Sequence, residues 1–276
     1  MASADPFLSV IVPAYNEAAG IGRTLCAIKT YLEGQGYSFE IIVSADGTDG
    51  TREAATAFGN GDPRIHVIGS PERGGKGKGV RNGVLMARGR YVGFVDADYK
   101  TPIEEIEKLL PCLKRGDAVV IGSRGMSDSK IERAQPLYRQ LGSKAFAMIM
   151  RRIVGLYDVV DTQCGFKFFQ QNVARALFTR QRIDGYMFDV EILRLAKVMK
   201  CTITEVGVRW QDDGDSRYNP VTGTIRNARE LLRIRFMRYP KTSAVNAPVD
   251  DVATRGATPR GRSQRRLRFR SGQQRD

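Results

Sequence analysis

The sequence predicts an α/β protein built on a doubly wound, mostly parallel sheet with helices on both faces. Two observations predict it. Short β-rich runs alternate with amphipathic helical patterns from Phe7 to Gly122, and polar clusters follow the strand ends at 14–17, 44–51, 96–100 and 122–124. Alternation at this spacing implies parallel strands joined by crossover helices. In such a sheet ligands bind beyond the carboxyl ends of the strands, so the four clusters converge on one edge.

The first strand is Phe7–Pro13, followed by Ala-Tyr-Asn-Glu and a helix over Ala18–Leu32. A second strand, Glu40–Val43, runs into Ser44-Ala-Asp-Gly-Thr-Asp-Gly-Thr51, a dense turn signal. A helix over Thr51–Phe58 and a strand at Ile65–Ile68 come next, then a glycine-rich loop and a helix over Val80–Ala87. Tyr91–Val95 is an unbroken apolar strand that delivers Asp96; helix Ile103–Leu113 and strand Ala118–Gly122 complete the alternation. Beyond Ser127 a long helix is expected over Pro136–Val154, then a short strand at Gly165–Phe169, helices over 172–178 and 188–199, and a strand over 203–208. Thr224–Arg238 is a strongly basic helical pattern. The sequence thus reads as one folded domain over 7–240 and a basic, aperiodic tail over 241–276 that composition marks as disordered.

Bulk composition bounds the partners. The formal net charge is +14, and the tail, with nine Lys/Arg against three Asp, holds +6 of it. Such an excess suits an anionic partner: a nucleotide sugar, a lipid phosphate, a membrane surface or a nucleic acid. Four dispersed cysteines and a single histidine argue against zinc and against a disulfide framework. No stretch approaches 18 apolar residues, and the N-terminus has no signal-peptide pattern, so a cytoplasmic location is expected, with peripheral membrane contact open.

The chemistry concentrates in two motifs. Asp96-Ala-Asp98 closes a buried strand, where two acids need a partner for their charge. Hard oxygen ligands of this kind suit Mg²⁺ or Mn²⁺ bridging a diphosphate, whereas the plainer reading makes Asp98 the N-cap of the helix at Ile103. Asp161-Thr-Gln-Cys-Gly-Phe-Lys167 offers an acid, the amide of Gln163 and a cation for a second substrate. Arg73-Gly-Gly-Lys-Gly-Lys-Gly79 reads either as a phosphate cradle or as a solvated loop. Asp46 is placed to accept from a base or ribose, while Arg124, Arg139 and Lys167 are candidate phosphate clamps. Asp189 and Glu191 cannot share a helix face at i, i+2, so one is expected inward, Asp189, and the other toward solvent or the helix N-terminus.

The order of these motifs resembles glycosyltransferase family 2, and most closely its branch that glucosylates dolichyl phosphate. Ser9-Val-Ile-Val-Pro-Ala-Tyr-Asn-Glu17, the Asp-Gly-Thr repeat, Gly75-Lys-Gly with Val80-Arg-Asn-Gly83, Asp96-Ala-Asp98, Gly122-Ser-Arg124, the 161–167 motif, Phe188-Asp-Val-Glu191 and Gly214-Asp-Ser-Arg217 recur in sequence. The resemblance spans roughly residues 7 to 236. It implies a GT-A fold and inverting transfer of a sugar from a nucleoside diphosphate to a polyprenyl phosphate. By position it implies Pro13, Tyr15, Glu17 and Asp46 around the nucleoside, and Lys76 and Arg81 near the donor. Asp96, Ala97 and Asp98 would meet the metal and diphosphate, with Mg²⁺ or Mn²⁺ as cofactor. Arg124, Arg139, Lys167 and Arg217 would handle acceptor or donor phosphates, with Gln163 beside the second substrate, and Asp161 and Asp189 are the candidate catalytic acids. Three departures stand out: Ala45 replaces the first acid of the strand-end turn, Lys100 stands where related mannosyltransferases place a glutamine metal ligand, and the branch's usual N-terminal anchor is not seen.

A UDP-glucose:polyprenyl-phosphate glucosyltransferase is therefore expected. The alternatives are a GDP-mannose-dependent transferase, a family 2 transferase with a soluble acceptor, a donor-binding homologue without activity and, from another class, a basic nucleic-acid-binding protein. The basic helix over 224–238 reads either as an interfacial helix on anionic lipid or as a core-packed helix with solvated arginines.

Overall fold

The computed structural model describes residues 5–131, 148, 150–211 and 220–239. Its centre is a seven-stranded sheet built from β1 (Leu8–Tyr15), β2 (Phe39–Asp46), β3 (Ile65–Ile68), β4 (Tyr91–Val95), β5 (Val119–Ser123), β7 (Phe166–Gln170) and β8 (Ile203–Gly207), in the order β3-β2-β1-β4-β7-β5-β8. A second, two-stranded ribbon pairs β6 (Lys130–Ile131) with β9 (Arg209–Trp210). The helices are α1 (Ile21–Gly34), α2 (Thr51–Gly59), α3 (Lys76–Met86), α4 (Ile106–Arg115), α5 (Gln171–Phe178), α6 (Phe188–Val198) and α7 (Pro220–Phe236).

Strand periodicity sorts the core onto two faces. Leu8, Val10 and Val12 of β1 pack with Ile41 and Val43 of β2 beneath α1 and α4, while Ile11 and Ile42 face the opposite layer of α3, α5 and α6. Leu231 and Ile234 seal α7 onto that second layer. The expected doubly wound arrangement is present.

One strand departs from the parallel pattern. β7 runs antiparallel to both its neighbours, β4 and β5. Its N-terminal end therefore lies at the edge where the parallel strands finish, and this delivers the 161–165 segment beside Asp96. The Asp96 N–H donates to the Gly165 carbonyl at 3.2 Å. A side chain at 165 would collide with the Asp96 carboxylate, since a Cβ there would lie 1.9 Å from Oδ2.

The glycine-rich segment is not the loop that composition predicts. Helix α3 begins at Lys76 and includes Gly77, Gly79 and Gly83. Glycine costs a helix about 1 kcal/mol relative to alanine, so these positions need a packing reason. Added Cβ atoms at Gly77 and Gly83 would fall 2.6 Å from Phe188 Cβ and 2.7 Å from Ile11 Cγ2, respectively. The glycines let α3 press against the sheet and against the start of α6.

Most of the expected long helix over 136–154 lies outside the described residues, although 150–154 are helical. The expected tail over 241–276 also lies outside them. No described helix is long and apolar enough to cross a membrane.

The β4–β7 contact is tight enough to test. Gly93 faces Phe168 in register, and a Cβ there would sit 2.1 Å from the ring. Gly93→Ala should lower stability by roughly 1–3 kcal/mol through overpacking. An unchanged urea midpoint would show that the two strands can move apart without cost.

Candidate active site

The ends of β1, β2 and β4 open into a cleft of about 800 Å³. Pro13, Tyr15, Glu17, Asp46, Lys76 and the whole Asp96-Ala97-Asp98 segment line it. Register explains the convergence, because Tyr15 and Asp46 are paired at the ends of adjacent parallel strands. Two non-glycine residues at this edge, Asn16 and Tyr99, adopt left-handed backbone with φ of 58° and 55°. Conformations of this sort concentrate at functional sites.

Several strand-end residues hold the rim together. Asp46 accepts from the N–H groups of Ser70 and Gly74 at 3.2 and 2.8 Å, so it fixes the 70–74 loop while lining the cleft. Asp49 accepts from Ala18 N and from Thr51 N and Oγ1, tying the turn after β2 to the turn after β1. Ala45 is fully buried, one residue out of phase with cleft-lining Ser44 and Asp46, so its departure from the family pattern falls on the core side. Arg73 stacks over Tyr15 with its guanidinium 4.3 Å from the ring centre, and Tyr186 lies beside it in the lining. Arg81 is not among the lining residues; it pairs with Asp184 at 2.8 Å.

A second cavity of about 220 Å³ meets the first. Asp96, Asp98 and Lys100 line both, and Thr101, Arg124, Gln163, Gly165 and Trp210 complete the smaller one. The Asp-Ala-Asp segment is therefore the seam between two compartments. The Thr24 hydroxyl of α1 donates to the Ala97 carbonyl at 2.7 Å and fixes its middle residue. Asp98 is not a helix cap: the Ile103 N–H is taken by the Tyr99 hydroxyl at 3.1 Å.

Each acid of the Asp96-Ala97-Asp98 seam has a cation. Lys76 Nζ lies 2.6 Å from Asp96, and Lys100 Nζ lies 3.5 Å from Asp98. Burial alone would lower the Lys76 ammonium, but Asp96 and Asp189 outweigh it and hold the group above the usual lysine range. Burial, followed by the neighbouring Asp96 charge, pushes the Asp98 carboxyl up despite Lys100 and Lys76. A further cation at Asp98 is electrostatically welcome. The donor set, two carboxylates on one strand end, has the hard-oxygen character that a Mg²⁺ or Mn²⁺ requires. No cluster of three His, Cys, Asp or Glu occurs among the described residues.

Asp161 and Arg124 form a closed unit. Arg124 donates its Nε, Nη2 and backbone N–H to the carboxylate at 2.7, 2.9 and 2.9 Å. Glu205 accepts from the Val160 and Asp161 N–H groups at 2.7 and 2.9 Å, holding the segment from behind. Burial would raise the Asp161 carboxyl, but the Arg124 hydrogen bonds and charge prevail and hold it at about 2.

Lys167 and Asp189 are not where a phosphate clamp and a catalytic acid are expected. Lys167 is completely buried and gives its ammonium to Asp189 at 2.7 Å and to the Cys164 carbonyl at 2.6 Å. It shares a strand face with Phe169, opposite Phe166 and Phe168, and points under the sheet toward α6. Burial raises the Asp189 carboxyl against the opposing pull of Lys167 and Lys76. Glu191 is buried too, contrary to the expected solvent or helix-end position, and accepts from the Arg182 and Ile183 N–H groups and the Tyr239 hydroxyl. Arg139 and Arg217 lie outside the described residues.

Sequence reading missed Trp210 as a site residue, and with it the ribbon that carries it. A lone tryptophan between Arg209 and Gln211 just after a strand is the signal that was available.

The model of the Glycosyl transferase family 2 matches residues 9–178. A dolichyl-phosphate β-glucosyltransferase of Drosophila melanogaster is 35% identical over 246 residues, covering 84% of this chain and 75% of that protein. The Saccharomyces cerevisiae protein of the same name is 32% identical over 249 residues, with 83% and 74% covered. Among solved structures, glucosyl-3-phosphoglycerate synthase of Mycobacterium tuberculosis bound to UDP superposes with a TM-score of 0.62 at 20% identity, covering 86% of this chain and 83% of that one. The same enzyme with Mn²⁺, UDP-glucose and phosphoglyceric acid gives 0.61 at 19% identity, with 86% and 82% covered. These neighbours share the GT-A fold.

The buried pair supplies a stability test. Lys167→Met would strand the Asp189 charge and should cost roughly 3–5 kcal/mol. The double change Lys167→Met with Asp189→Leu should recover most of that loss in urea unfolding. A double variant as unstable as the single one would show that the pair has essential partners beyond itself. Taken together, the matched family model and the extensive identity to family members place this chain in glycosyl transferase family 2.

Proposed function

We propose that the protein transfers glucose from UDP-glucose to a polyprenyl phosphate, with inversion at the sugar carbon. The observation that carries this reading is the seam: a large cleft and a smaller, cation-lined cavity meet at Asp96 and Asp98. Relatives that are 30–35% identical over most of their length carry the name dolichyl-phosphate β-glucosyltransferase, which supports the same donor and acceptor. The nucleic-acid alternative fits poorly, because acids stand at the centre of the concave surface.

The reaction joins two anions. A phosphomonoester has its second pKa near about 6, so the acceptor oxygen is largely ionised at pH 7. That oxygen forms the new bond to the sugar's first carbon as the bond to the diphosphate breaks, and the electron pair leaves on UDP. No proton has to be removed. Lys76 and Lys100 oppose charge repulsion at the seam, and Arg124 stands on the acceptor side. Asp98, with Asp96 behind it, would hold the divalent ion, which supplies charge neutralisation for the departing diphosphate. Asp161, kept ionised by Arg124, is an orienting group; its basicity is too low for useful proton abstraction at neutral pH.

The reaction reading is tested by following nucleotide release from UDP-glucose and from GDP-mannose, with Mg²⁺ or Mn²⁺ and a short polyprenyl phosphate. UDP release should depend on the acceptor and fall about 10²–10³-fold in Asp98→Ala, a loss in the range of one key electrostatic group. Preference for GDP-mannose would overturn the donor assignment. Asp161→Asn should raise the acceptor KM more than it lowers kcat. A kcat loss that dominates and grows toward acid pH would instead identify a general base.

A lipid acceptor also requires a way onto the membrane, and α7 supplies the chemistry. Leu232 and Phe236, four residues apart, are 52% and 78% exposed, among exposed Arg229, Arg233, Arg235 and Arg238. This favours peripheral contact with an anionic bilayer, each arginine contributing about 1 kcal/mol near the surface. Flotation with phosphatidylserine vesicles should be strong for the wild type and weak for Arg229→Glu/Arg233→Glu/Phe236→Glu. Equal flotation of both would move the contact to another part of the chain.

A further inference from the structure

The smaller cavity contains an arrangement that the family motifs do not include. Trp210, the only tryptophan of the chain, has two cations against its ring. The Lys100 ammonium is 5.9 Å and the Arg124 guanidinium 5.5 Å from the ring centroid. Both distances fall within the range of cation–π attraction, about 6 Å. Each cation is also held at its other side by an acid, Lys100 by Asp98 at 3.5 Å and Arg124 by Asp161 at 2.7 Å.

The strand that carries the ring is anchored on both flanks. Arg209 donates its backbone N–H to Glu105 at 3.2 Å and its Nε to the same carboxylate at 2.5 Å. Lys108 pairs with that carboxylate at 2.6 Å, so the anchor belongs to the start of α4. On the other side the Gln211 N–H donates to the Lys100 carbonyl at 3.0 Å. Ile131 pairs with Trp210 across the ribbon. Two long, rotamer-rich side chains are thus set against a ring carried on an anchored strand, and less ordering remains to be done when an anion arrives.

We propose that Trp210 is the positioning residue of a phosphomonoester subsite, holding Lys100 and Arg124 on the smaller cavity so that both receive the acceptor phosphate. This rests on the transferase reading for the identity of the acceptor, though the subsite's chemistry stands on the cations alone. The Lys100 side chain, which cannot ligate a metal, gains a role here: it faces both cavities and links the acceptor phosphate to the seam. Asp161 occupies Arg124 Nε and Nη2, so Nη1 is the guanidinium nitrogen that Asp161 does not engage.

The test uses the full chain and two readouts. In steady state, Trp210→Leu should raise the acceptor KM roughly three- to thirty-fold, the loss expected for cation–π contacts, with the UDP-glucose KM and thermal midpoint little changed. Trp210→Phe, which keeps a π-face, should recover most of the affinity. A phenylalanine variant as poor as the leucine one, or an equal rise in the UDP-glucose KM, would overturn the proposal. Independently, the wild type's single tryptophan is titrated by fluorescence, without donor, against a short polyprenyl phosphate, the parent alcohol and glycerol phosphate. A saturable change with either phosphate and none with the alcohol supports the subsite, and the contrast between the two phosphates separates a lipid acceptor from a soluble one. A response to phosphate without glucosyl transfer would sink the reaction proposed above and leave the subsite standing. Transfer with a silent tryptophan would do the reverse.

Discussion

Carboxylates gathered at the end of a buried strand repel one another, and the structure answers by giving each its own cation. Asp96 has Lys76, Asp98 has Lys100, Asp161 has Arg124 and Asp189 has Lys167. The pairs are not independent, because Lys76 is held charged by Asp189 as well as by Asp96. In the buried Lys167–Asp189 pair, removing one charge leaves the other uncompensated in a poorly solvated place, where the penalty is several kcal/mol. In the proposed reaction, this alternation would let two phosphorylated substrates approach a site that is itself anionic at its centre.

The deepest pair also fixes the geometry above it. Lys167 enters the sheet on β7, the antiparallel strand, and its bond to the Cys164 carbonyl secures the segment that brings Gly165 against Asp96. A parallel strand in that place would have put residue 170, not 165, at the working edge. The direction of one strand therefore decides whether the second motif reaches the first. Gly93 and Gly165 give the room that the arrangement needs, one against the Phe168 ring and one against the Asp96 carboxylate.

Much of this was legible in the residues, and the exceptions have physical causes. The strands at 65–68 and 91–95 have the bounds that their apolar runs predict, and the convergence of Tyr15, Asp46 and Asp96 follows from parallel topology. The direction of β7 was not legible, because Phe-Lys-Phe-Phe-Gln is buried on both faces and direction leaves no periodic trace. Lys167 was read as a surface clamp because charge alone marks exposure; its buried partner stands 22 residues away. Lys76-Gly-Lys-Gly was read as a loop on glycine's propensity, whereas close packing on Ile11 and Phe188 overrides that propensity. Trp210 escaped notice because a two-residue strand carries no pattern.

A lipid-borne acceptor adds a constraint that a soluble one does not: the mouth of the site must lie near the surface that holds the lipid. In the reaction proposed above, helix α7 would meet this requirement. Its exposed arginines and Phe236 face outward, while Glu230 accepts from the Met187 N–H at 3.2 Å and pairs with Arg226 at 3.3 Å. Gly185, in the same loop, approaches Glu230 so closely that an added Cβ would lie 2.2 Å from its carboxylate. Arg226 and Tyr186 then border a small cavity with Arg73, Gly75 and Lys76, the residues that close the donor cleft. Were α7 to lie on a bilayer as proposed, with its other face on the 185–187 loop, lipid and loop would be separated by the helix's own thickness, about 10 Å.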